Sequence, residues 1–156
     1  MRRDKSGVAP HLQADHPLST KVVDVVVSGL HASIGLNETA TAEEIDAARL
    51  SLRFFGLLAL ASRTLREVSY GQFRRILFAR AWVGEPRLLL LDEPYTGLDA
   101  RTRLLIDSRL GKIHRKGAAI VIATHQRDEW PAFATHELEL TGGLAVYAGP
   151  VREHSS

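Results

Sequence analysis

The chain has no cysteine. That excludes disulfides and thiolate metal sites, and it fits a reducing compartment. No apolar run approaches the roughly 18 residues that a membrane span needs. The start, MRRDKSGVAP, carries two arginines with no apolar stretch behind them, so it does not read as a signal peptide. The expected location is therefore the cytoplasm, with docking on a membrane protein left open. Charge of one sign is also lacking. The formal net charge is only +2, and acids and bases are mixed along the chain, a weak basis for nucleic-acid binding. There are no repeats, heptads or low-complexity segments.

What is present suits one globular domain. The chain has 156 residues, 45% of them hydrophobic and 24% charged, enough to build a core. Residues 1–19, with Gly7, Pro10 and Pro17, read as an irregular lead-in. Thr20–Leu30 is ambiguous: five valines favour a strand, yet Val22, Val23, Val26 and Val27 also share a helical face. Thr41 and Glu44 form a capping-box pattern ahead of Ile45, Ala48, Leu52 and Phe55 at helical spacing, and Gly56 is a plausible stop. LLALASRTLREVSY reads as a short helix plus a connection, and Gly71–Val83 as a helix. Arg87–Asp92 is a continuous apolar run bounded by Pro86 and Pro94, as in a strand buried on both faces of a parallel sheet. Asp99 can cap a helix to about Arg115, with Gly117 at its end. Ala118–Ala123 predicts a second buried strand, and HELELTGGLAVYAG a closing hairpin. The result is an α/β domain. A mostly helical part covers 20–85, a sheet-bearing part 86–150, and a tail 151–156.

The chemistry concentrates in VSYGQFRRILFARAWVGEPRLLLLDEPYTGLD. Asp92 stands at the carboxyl end of an apolar strand, where open α/β sheets bind ligands. A carboxylate there can hold Mg²⁺ through water. Glu93 points elsewhere and can orient or deprotonate a water. His125 ends the next apolar strand. If the two strands are neighbours, its imidazole lies beside the acids. Ser69, Gly71 and Gln72 precede a helix, whose start attracts anions. Each feature also has a plainer reading: a chance acidic pair at a strand end, a loop histidine, a helix cap.

In this order the features resemble one family, the ATP-binding cassette (ABC) ATPases. VSYGQ is similar to their signature motif. LLLLDEP resembles the Walker B strand with its catalytic glutamate, TGLD the D-loop, and ATHQ the switch histidine. The spacings agree: 20 residues from Gln72 to Asp92, seven more to Asp99 and 26 more to His125. VVSGLHASIGL and YGQFRRILFARAWV look most like the branch containing molybdate-transport-type and photorepair-type ATP-binding proteins. The resemblance implies ATP and Mg²⁺ as ligands. It also implies that Asp92 serves the metal, Glu93 is the general base and His125 senses the γ-phosphate. Ser69, Gly71 and Gln72 would face a nucleotide held by a second cassette in a head-to-tail dimer, Asp99 would line the same dimer seam as part of the nucleotide site, and a membrane permease would stand beside it. Gln13, in PHLQADHPLS, is the candidate for the family's Q-loop glutamine.

The pattern is broken in one place. The phosphate-binding loop G-x-x-x-x-G-K-[ST] does not occur in the chain. The expectation is a partial P-loop NTPase core with a helical subdomain. It would lack the Walker A half, which an N-terminal segment would have to supply. Such a chain alone would bind ATP weakly, hydrolyse it negligibly and expose an incomplete sheet. Tyr70 and Val68 replace the usual Gly and Leu of the signature, which reads as subfamily variation. The leading expectation is the ATP-binding subunit of a transporter. One alternative is a non-catalytic module that offers only its signature face to a partner. A DNA-linked ATPase ranks last, because heptads are missing and Thr20–Phe55 resembles the transporter-type helical insert.

Overall fold

Lys5–Val8 forms a strand, β1, within the segment whose composition predicts an irregular lead-in. Lys, Ser and Gly have little strand propensity. The strand exists because its backbone pairs in parallel with Leu88–Asp92, β2, in the register Lys5↔Leu88 to Val8↔Leu91. The computed structural model describes residues 5–8, 16–31 and 39–152. Gln13 lies outside the described residues. The chain divides into two units, Met1–His125 and Gln126–Ser156.

In the first unit the ambiguous valine segment is helical. Helix α1, Val22–Val27, continues as a 3-10 turn over Ser28–His31. A six-residue helix is not stable by propensity. Packing holds it: Val22, Val25, Val26 and Val27 are fully buried, and α1 lies against α2 (Ala42–Phe54) and α3 (Tyr70–Trp82). Gly29 is required here, because a Cβ would sit 2.1 Å from the Arg80 carbonyl oxygen. The predicted capping box starts α2: the Glu44 amide donates to Thr41 Oγ1 (3.2 Å), and the Thr41 amide to Glu44 Oε2 (3.0 Å). The segment 57–69 holds two 3-10 turns, Leu58–Leu60 and Leu65–Glu67, in place of one short helix.

Helix α3 is the core element. It is buried almost all round, from Phe73 to Trp82. Phe78 stacks on Phe55 with ring centres 6.2 Å apart. Ser51 Oγ donates to the Ala79 carbonyl (2.7 Å). The helix leads to β2, then to α4 (Ala100–Arg115), then to β3 (Ala119–Ala123). β2 and β3 are parallel neighbours, Leu88↔Ala119 to Asp92↔Ala123, and the strand order is β1-β2-β3.

The sheet departs from the prediction of strands buried on both faces. Leu89 and Leu91 are 2% exposed, whereas Leu90 is 41% and Val121 53% exposed. Side chains alternate across a strand. The described helices therefore cover one face only, and Leu90, Asp92, Val121 and Ala123 line the other. The second unit is the expected hairpin. β4 (His136–Thr141) and β5 (Leu144–Pro150) are joined by Gly142 and Gly143, both at positive φ as a tight two-residue turn requires. Arg152 braces it, pairing with Glu137 and with Glu139 (2.7 Å).

Candidate functional site

The parallel register of β2 and β3 brings two predicted residues together at the carboxyl edge of the sheet. The Glu93 amide donates to the Ala123 carbonyl (2.9 Å), extending the ladder one residue past Asp92. Glu93 then takes φ +43°, left-handed and strained for a residue with a side chain. The chain turns, and the Glu93 carboxylate meets His125. Its Oε1 lies 2.7 Å from His125 Nδ1 and accepts the His125 backbone N–H at 3.2 Å. Thr96 and Thr124 hydroxyls donate to Oε2, each at 3.4 Å.

The His125 ring nitrogen and amide hold the Glu93 carboxyl below its usual range. A carboxylate only accepts, so the contact selects the Nδ1–H tautomer of a neutral His125. Oε1 thus carries two short bonds and Oε2 two long ones. Oε2 is the oxygen better able to take a proton.

Asp92 is exposed at the end of β2, on the uncovered face. Among the described residues no group of three His, Cys, Asp or Glu could hold a metal.

The remaining predicted residues gather at two helix starts. Ser69 N-caps α3: the Gln72 amide donates to Ser69 Oγ (3.2 Å), and the Ser69 amide to Gln72 Oε1 (2.8 Å). The side chains of Ser69 and Gln72 therefore serve the cap in this structure. Asp99 N-caps α4, accepting from the Thr102 amide (2.9 Å) and hydroxyl (3.0 Å). The Thr102 amide keeps the Asp99 carboxyl acidic. The two starts adjoin, since a Cβ on Gly71 would lie 3.6 Å from Thr102 Oγ1.

The sequence did not point to Arg74. It is 1% exposed, and its Nη2 donates to the carbonyls of Glu93 (2.9 Å) and Pro94 (3.1 Å). Nothing in the sequence set it apart from Arg75 and Arg80, the other two arginines of α3.

The family model described as ABC transporter matches residues 3–96. The chain is 35% identical over 130 residues to the chelated iron transport system membrane protein YfeB of Yersinia pestis, covering 83% of this chain and 44% of that one. It is 33% identical over 155 residues to the ABC transporter ATP-binding protein YlmA of Bacillus subtilis, covering 98% and 59%. A metal-chelate type ABC transporter in an inward-facing conformation superposes with a TM-score of 0.76 at 26% identity, over 94% of this chain and 57% of that one. The chain thus spans about half the length of the curated relatives it matches. With the fold, the motif order and these relatives in agreement, the chain belongs to the ABC transporter family.

Proposed function

We propose that this chain supplies the hydrolytic half of an ATP-binding subunit that powers transport through a membrane permease. One observation carries the reading: Glu93 and His125, from adjacent parallel strand ends, meet at 2.7 Å beside Asp92. Asp92 would hold Mg²⁺, which would neutralise phosphate charge when bound. Glu93 orients a water and accepts its proton on Oε2. The water oxygen bonds to the γ-phosphorus, and the bond to the ADP oxygen breaks, giving ADP and inorganic phosphate. His125 fixes the Glu93 carboxylate and stands at the γ-phosphate edge. The starts of α3 and α4 face a nucleotide held by a second cassette. The G-x-x-x-x-G-K-[ST] loop, absent from these 156 residues, comes from another segment of the assembly. The place of action is the cytoplasmic face of the membrane; no helix among the described residues is long and apolar enough to cross one.

For cargo, the likeness of VVSGLHASIGL and YGQFRRILFARAWV to molybdate-type proteins supports an oxyanion. Relatives named for chelated iron, Fe(3+) ions and spermidine/putrescine share the family, so cargo choice belongs to permease and binding subunits. A second reading, a module that lends only its signature face to a partner's ATP, is favoured by the adjoining starts of α3 and α4, which bring Ser69, Gly71 and Asp99 to one place within these 156 residues. Turnover by the assembled cassette separates the two. Glu93→Gln should lower kcat by at least about 100-fold with ATP binding retained. Undiminished turnover in that variant refutes the hydrolytic assignment.

A further inference from the structure

The turn that carries Glu93 is left-handed at both ends. Glu93 has φ +43° and Gly97 has φ +73°. Within it the Thr96 amide reaches the Glu93 carbonyl at only 3.4 Å. The Leu98 amide donates back to the Tyr95 carbonyl (3.1 Å), but the left-handed Glu93 end has only long contacts to Thr96 within the turn, and strained backbone persists only where its surroundings determine it. Helix α3 touches each end. At the first, the buried Arg74 guanidinium bridges the carbonyls of Glu93 and Pro94. At the second, the Tyr70 hydroxyl donates to the Thr96 carbonyl (3.3 Å), and the Tyr70 ring covers Gly97, where a Cβ would lie 3.1 Å from Cε1.

We propose that Arg74 and Tyr70 are positioning residues that clamp the Glu93–Gly97 turn at both ends to α3, so that the helix start at Ser69–Gln72 and the Glu93 carboxylate move as one body. Arg74 suits its place. Its Nη2 alone serves two adjacent carbonyls, of which the Glu93 one otherwise has only the long Thr96 amide contact. Tyr70 suits the other end, because a glycine there would leave the Thr96 carbonyl without this donor. Helix α3 begins at the residues assigned to the partner's nucleotide, four residues before Arg74. A shift of that end is transmitted to the turn through rigid helix and two side chains. The clamp rests on the proposed role of Glu93 for its consequence in hydrolysis, and on hydrogen bonds alone for its existence.

The test uses the full chain carrying Tyr70→Phe, Arg74→Lys or Arg74→Met. Tyr70 is 44% exposed, so Tyr70→Phe keeps the fold. It should speed amide exchange at Thr96 and Leu98 by about fivefold, the worth of one hydrogen bond. Arg74→Met should abolish the hydrogen-bonded Nδ1 proton resonance of His125 at fixed pH, and Arg74→Lys, which keeps N–H donors without the planar guanidinium, should restore part of it. In the cassette assembled with its partner, Arg74→Lys should lower kcat about 10- to 100-fold with KM for ATP unchanged. A folded Arg74 variant with the His125 resonance intact overturns the clamp. If both Arg74 variants fail to fold, Tyr70→Phe decides: unchanged exchange at Thr96 and Leu98 overturns it. Full turnover in Glu93→Gln would refute the hydrolytic reading while leaving these spectroscopic results to judge the clamp.

Discussion

Glu93 Oε1 and His125 Nδ1 lie 2.7 Å apart, although 32 residues separate them in the chain. The parallel register of β2 and β3 makes the meeting possible, because it ends both strands at the same edge. The contact is electrostatic as well as geometric, and it sets the acidity of Glu93.

His125→Ala should therefore raise the Glu93 carboxyl toward its ordinary value of 4.5. The sign follows from linkage. A carboxyl lowered by folding adds stability above its unfolded value, and that gain disappears as pH falls through the folded value. The variant should lose stability at neutral pH and less in acid. Carboxyl carbon resonances followed across pH measure the shift directly. An unmoved Glu93 titration contradicts the pairing.

Glu67 offers an independent check away from the strand edge. The Thr64 amide (2.8 Å) and Arg63 Nη1 (2.8 Å) hold its carboxyl at about 2, against an ordinary 4.5. Its contribution is whole above pH 4.5 and is lost as pH falls toward about 2. Glu67→Gln should flatten the pH dependence of urea unfolding in that window, with little change in its slope above it.

The caps of α3 and α4 are structural whatever else they touch. Ser69→Ala removes the acceptor for the Gln72 amide and should cost about 1 kcal/mol, as should Asp99→Ala. Denaturant unfolding of the chain without nucleotide measures both. Ser69→Thr should keep most of the cap, so a large loss in that variant counts against the capping account.

The uneven sheet makes a sharper contrast between neighbours. Leu89→Ala or Leu91→Ala should destabilise by about 2–5 kcal/mol, because each leaves a cavity. Leu90→Thr and Val121→Thr, on the uncovered face, should change stability by no more than about 0.5 kcal/mol and raise solubility. Equal losses at Leu89 and Leu90 in urea titrations would show that both faces are covered.

The sequence was most legible where local chemistry dictates structure. Thr41 with Glu44, Ser69 with Gln72 and Asp99 with Thr102 pair within three residues, and all three caps are present. The hairpin at Gly142 and Gly143 follows from two residues that tolerate positive φ. The motif order from Ser69 to His125 sufficed to identify the family.

Other features depended on partners distant in sequence. The valines between positions 22 and 27 fit strand or helix equally, and packing against α2 and α3 decided for helix. Lys5–Val8 has no strand signal of its own and is extended because β2 offers it a ladder. Four leucines in a row could not show that the described helices would cover one sheet face only, since burial depends on what packs above a strand. Nor could composition reveal that Arg74 braces the Glu93 turn across 19 residues. By itself the sequence determined residue chemistry, caps and turns, because these are settled within a few bonds. Only the tertiary structure decided strand register, burial and the meeting of Glu93 with His125, because those require surfaces that distant segments bring together.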